Sequence, residues 1–126
     1  MPPATSGRRV PRRGEIWSVA VPGDPHAPRP FLVVSDPLVH AFWGDFLMIP
    51  LWTSAPAGPT RVPIRAREGG IQHDSVLLCD QITRIPRGFV RGDRPIGGPV
   101  PVSIMKAVMK AVLITLGDPS ASRYPF

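Results

Sequence analysis

Apolar residues come in short runs separated by proline and glycine, not in one long periodic stretch. Five runs read as strands: 15–21, 31–35, 45–51, 61–65 and 75–85, the last bent or broken near Asp80. Phe31, Leu32, Val33 and Val34 are apolar on both faces, so their strand is expected at the centre of a sheet. Pro50 and Pro63 lack a backbone donor and belong at bulges or edges. Residues 103–116 break the pattern, with Met105, Val108, Met109, Val112 and Leu116 at helical spacing. Pro101 precedes that run, and Gly117 and Pro119 stop it. Lys106 and Lys110 mark its wet side. Met105 and Met109 read as core or dimer-interface packing, not as a ligand box.

Composition adjusts this picture in few places. With 18 prolines and 12 glycines the chain is punctuated too often for long helices, which points to a small, mainly β barrel closed by one helix. At 126 residues one domain is expected: a flexible basic leader over 1–11, the barrel over 12–117 and a flexible tail over 118–126. Thirteen arginines and two lysines against nine acids leave a net charge of +6, which favours an acidic partner, nucleic acid above all. One cysteine, Cys79, excludes an internal disulfide, and its neighbours Val76 to Leu78 make it a buried structural thiol. No apolar run reaches the roughly 20 residues that span a bilayer. The leader has charges but no apolar segment behind them, so a soluble cytoplasmic protein without membrane contact is expected.

Ordinary catalytic signatures are missing. His26, His40 and His73 stand alone without ligand spacing, so neither a metal nor a cofactor is expected. Gly69-Gly70 and Gly97-Gly98 lack the strand, helix and lysine of a phosphate-cradling loop and read as turns. The informative stretch is RRGEIWSVAVPGDPHAPRPFLVVSD, residues 12–36. It places Arg29 at the foot of a buried strand, where a guanidinium that keeps its charge suits an anion such as phosphate.

The order RRGEIW, RPFLVVSD, IPLWTSAP, a Gly-Gly pair, DSVLLCDQITRI and an amphipathic helix resembles the MazF/PemK toxins over about residues 12–116. That resemblance implies an SH3-like β-barrel of the MazF/PemK/CcdB toxin type with a C-terminal α-helix. It also implies a homodimer that cleaves single-stranded RNA at short motifs without a metal, and an acidic antitoxin that neutralises it. The family's catalytic arginine falls on Arg29 and its catalytic hydroxyl on Thr53. Regions where the family's RNA lies match Asp24, His26, Trp52, Ser54 and Gln81.

At the hydroxyl this chain departs from the family. It reads Pro50-Leu51-Trp52-Thr53-Ser54, with a tryptophan where the family pattern runs straight from leucine to threonine. One extra residue turns Thr53 to the other face of its strand unless a bulge near Pro50 restores the register. Ser54 is then the reserve hydroxyl and Trp52 a surface on which a base stacks. Plainer readings stand beside these: a turn-capping Asp24, a solvated His26, a barrel-packing Trp52 and a strand hydrogen bond for Gln81. Arg12, Arg13, Arg61, Arg65 and Arg84 are further candidates for phosphate contacts. Two other functions stay open: a gyrase-inhibiting toxin of the same fold, and a non-catalytic barrel that binds nucleic acid or peptide.

Overall fold

The computed structural model describes residues 9–121. Strands β1 (Ile16–Val19), β2 (Arg29–Val33), β3 (Asp45–Trp52), β4 (Arg61–Ile64), β5 (Ser75–Leu78), β6 (Thr83–Pro86) and β7 (Val90–Arg91) alternate with helix α1 (Pro37–Trp43), and helix α2 (Val102–Thr115) follows. They form one seven-stranded antiparallel sheet in the order β4-β5-β3-β2-β1-β7, with β6 also paired to β3. No pairing among the described residues joins β7 to β4 or β6, so the expected barrel is open.

Strand alternation explains why β2 and β3 are apolar throughout. Ile16, Leu32 and Ile49 face one core, shared with Val108, Ala111 and Val112 of α2. Trp17, Phe31, Val33 and Met48 face a second core with Phe46, Ile85 and Val90. Each strand therefore buries both sides, and β2 lies between β1 and β3 as its composition required. Cys79 is buried in the first core, and that burial pushes its thiol up to about 12, in keeping with a structural role.

Some boundaries moved. The 75–85 run is interrupted by a 3-10 turn at Cys79–Gln81. β3 pairs Met48 with Thr83 on one side of this turn and Leu51 with Leu77 on the other, so the three extra residues sit on the partner strand. β3 itself has no bulge: Phe31↔Pro50 to Val33↔Met48 and Leu51↔Leu77 to Trp52↔Val76 run in constant register. The bulge that Pro50 would have allowed is thus absent, and nothing in the register turns Thr53 back toward the face of Arg29. Leu116 does not join the buried stripe; it is the C-cap residue of α2 and is 71% exposed.

α1 was not foreseen. Asp36 caps it by accepting the Leu38 N–H, Pro37 opens it, and Gly44 ends it in the left-handed conformation at φ 78°. Of the expected leader, Arg9 pairs with Glu15 and Pro11 is buried; of the expected tail, Ala121 is buried. The rest of both segments, 1–8 and 122–126, lies outside the described residues.

Candidate active site

The loop between β1 and β2 is shaped by Asp24. Its backbone N–H donates to the Val21 carbonyl, its own carbonyl accepts from Ala27, and its Oδ1 accepts the His26 N–H at 2.9 Å. This Asx turn aims the carboxylate back at the foot of β2. There Arg29 Nε and Nη2 donate to Asp24 Oδ2 and Oδ1 at 2.6 and 2.7 Å, a two-point pairing. The side chains of Arg29 and Asp24 are only 14% and 16% exposed. These bonds from Arg29, and then the His26 N–H, hold the Asp24 carboxyl below the usual carboxylate range.

The β2–β3 register, extended by two residues beyond Phe31↔Pro50, sets Arg29 opposite Trp52. The geometry agrees: Arg29 Cζ lies 4.5 Å from the Trp52 ring centroid. The His26 ring meets Trp52 edge-on, with centroids 5.9 Å apart and an interplanar angle of 70°. Trp52 stays 38% exposed and offers a ring to solvent beside the cation. A guanidinium has five N–H bonds and Asp24 takes two, so three remain for a bound anion.

Asp24, His26, Arg29 and Trp52 are thus brought together. Thr53 and Ser54 follow the last residue of β3 and are exposed, and neither hydroxyl bonds to Arg29. Thr53 lines a neighbouring cleft with Pro30, His73 and Ser75. Gln81 is exposed on the 3-10 turn, and no hydrogen bond or ring contact ties it to the Arg29 cluster. Of the candidate phosphate ligands, Arg61 is paired with Asp80 and Arg84 with Asp45, while Arg13 Nη1 donates to the Val34 carbonyl. The side chains of Arg12 and Arg65 have no partner among the described residues. No helix is long and apolar enough to cross a membrane, and no three His, Cys, Asp or Glu side chains cluster as metal ligands, among the described residues.

The sequence profile of the PemK-like, MazF-like toxins of type II toxin-antitoxin systems matches residues 12–116. The chain belongs to this toxin family. Solved structures agree on the fold. An endoribonuclease from Mycobacterial species, in complex with its cognate antitoxin, superposes with a TM-score of 0.72 at 20% identity, covering 87% of this chain and 98% of its own. The Mycobacterium tuberculosis toxin MazF-mt6 gives 0.68 at 23% identity, with 82% and 96% covered. MazF of a MazE-MazF complex from Deinococcus radiodurans gives 0.70 at 22% identity, with 86% and 97% covered. No protein with a curated description matches the chain significantly. The sequence singled out Arg29 and the loop before it, but did not pair Asp24 with Arg29. The five-residue spacing across a Pro/Gly-rich loop was the one available signal.

Proposed function

We propose that this toxin is an endoribonuclease that cleaves single-stranded RNA by attack of the ribose 2′-OH on the adjacent phosphorus. One observation carries the reading: Arg29 is shielded, held at two points by Asp24 and left with three N–H bonds beside an open indole. A cation oriented in advance in a partly dry site stabilises the charge that grows on phosphate oxygens, at no reorganisation cost during reaction. RNA carries its own nucleophile, so the protein must only align it, move a proton and hold that charge. The bond from 2′-oxygen to phosphorus forms as the bond to the 5′-oxygen breaks. The 2′-OH gives up a proton, the leaving oxygen gains one, and the products are a 2′,3′-cyclic phosphate and a 5′-OH end.

Arg29 binds the scissile phosphate in this scheme, and a hydroxyl just past the end of β3 takes a nonbridging oxygen: Thr53, where the family pattern falls, or Ser54, which the bulge-free register of β3 favours. Trp52 stacks a base, and Asp24, beyond contacting RNA, orients the guanidinium. His26, whose ring meets Trp52 edge-on, contacts the substrate and is an imidazole available for proton transfer. Gln81 reads a base edge farther along the strand. Two of the solved relatives with this fold are named endoribonucleases, which supports the reading. Assembly as a homodimer completes the substrate path. An acidic antitoxin segment laid over the Arg29 face would neutralise the toxin by taking the phosphate positions, and relatives solved with their antitoxins favour such a partner.

The test is incubation of the purified protein with a long single-stranded RNA in EDTA, followed by mapping of 5′-OH ends. Cuts at a recurring short motif are expected. An intact RNA would sink the proposal and leave gyrase inhibition or plain binding.

A further inference from the structure

Helix α1 departs from the usual pattern of a surface helix. None of its residues is buried, yet most are apolar, and Leu38, Phe42 and Trp43 are 62%, 76% and 79% exposed. Leu38, Val39, Phe42 and Trp43 stand at i, i+1, i+4 and i+5 and so form one stripe along the helix. The helix is nonetheless well fixed. Asp36 caps its start, Gly44 ends it, and the His40 ring stacks on Phe46 of β3 with centroids 4.2 Å apart.

A cleft lies on each side of α1. One, of about 430 Å³, is walled by Val10, Pro11, Pro37, Ala41 and Phe46. The other, of about 500 Å³, is walled by Val39, Trp43, Phe46 and Leu47. Two apolar hollows flanking an exposed apolar ridge fit an elongated partner whose side chains enter both, not one compact molecule. A contiguous apolar surface of this kind on a globular chain marks an interaction site.

Charge narrows the partner. Arg84, its side chain 71% exposed, lines the second cleft, and Arg12, whose side chain has no partner among the described residues, lines the first. The two carboxylates on the patch are engaged, Asp36 in capping α1 and Asp45 in pairing with Arg84. A second copy would bring together two chains of net charge +6. Single-stranded RNA is disfavoured because Leu38, Val39 and Leu47 give a base nothing to stack on. An apolar stripe flanked by carboxylates suits both the clefts and the arginines. We infer that α1 and its two clefts are the docking surface for an acidic amphipathic helix of a partner protein.

This surface is separate from the Arg29 site. β3 runs from Asp45, next to α1, to Trp52, which covers Arg29, about 20 Å away at the rise of a strand. A partner seated on α1 leaves the cation open, and the inference does not depend on the endoribonuclease reading.

The probe is a pair of designed helical peptides with the same Leu and Phe stripe, one flanked by glutamates and the other by lysines, titrated against the full chain by fluorescence anisotropy. The glutamate peptide should bind about tenfold more tightly than the lysine peptide, and added salt should narrow the gap. F42S/W43S should lose about tenfold in affinity for the glutamate peptide. R12Q/R84Q should lose the preference for glutamate, and R29A should bind as the wild type does. All four α1 and rim side chains are exposed, so thermal melts should be unchanged. Equal binding of the two peptides, or no binding, overturns the inference, as does glutamate-peptide binding that F42S/W43S keeps and R29A loses. A wild-type dimer in sedimentation that F42S/W43S dissociates would give the face to a second copy and overturn it too. So would binding of a single-stranded RNA that F42S/W43S weakens.

Discussion

Two clusters in this molecule are built from the same three residue types, an arginine, a carboxylate and a tryptophan, and they do opposite things. In one, Glu15 is the centre. Its Oε2 accepts from Arg9 at 2.6 Å, and its Oε1 accepts from the Arg12 N–H at 2.9 Å and from Trp17 Nε1 at 3.1 Å. The carboxylate is nearly buried at 7% exposure, Trp17 is fully buried, and the arginine is the exposed partner at 50%. In the other, Arg29 is the centre, shielded and only partly satisfied, while the tryptophan is open to solvent. A saturated buried anion fastens the first strand to the chain before it. A shielded cation with three N–H bonds left unpaired is, on the proposed reading, the group that takes an anion from outside. Which member of the trio is central and unsaturated separates a clasp from a site.

The sharpest way to break this contrast is Arg29→Ala. RNA cleavage should fall by about 100- to 1,000-fold, as when a transition-state donor is removed. Full activity in a folded variant would end the assignment. Glu15→Ala should do the reverse, leaving the Arg9, Arg12 and Trp17 donors without their acceptor and costing about 3 kcal/mol in urea denaturation, with activity per folded molecule retained. A cost under about 1 kcal/mol would mean that the Glu15 cluster is not a clasp.

A smaller effect is expected from Trp52→Ala. It should weaken RNA binding by about tenfold, seen in KM more than in kcat, with much of the loss restored by Trp52→Phe. An effect confined to stability would return Trp52 to a packing role.

The gentlest test is pH. Because folding lowers the Asp24 carboxyl, its contribution is present above the ordinary aspartate range and is lost as pH falls through the lowered folded value. Melting temperature followed between about pH 5 and pH 2 should therefore fall more steeply in the wild type than in Asp24→Asn. Parallel curves would show that the Asp24–Arg29 pair is not linked to folding.

Much of this was legible along the chain, and the exceptions have physical reasons. The 31–35 run declared a central strand, and the 103–116 stripe declared α2 to within one residue at each end. α1 escaped although Asp36, Pro37 and Gly44 are ordinary start and stop signals. Seven residues are too few for a periodic stripe, and none of them is buried. Of the two glycine pairs read as turns, Gly69-Gly70 lies in the 3-10 segment Glu68–Gly70 and Gly97-Gly98 in a bend. The close contact of Gly70 with Gly97 could not be read, because it depends on backbones more than twenty residues apart.

Short apolar runs cut by proline and glycine, with helical spacing confined to residues 103–116, determined the class of fold, and an arginine-rich composition determined the positive net charge, because these are properties of the chain itself. Tertiary structure alone decided that Asp24 meets Arg29, that Trp52 covers the cation, and that Gln72 and His73 share a cleft with Thr53. Hydrogen bonds and ring contacts act over a few ångströms, and only the sheet's register brings those side chains within that reach.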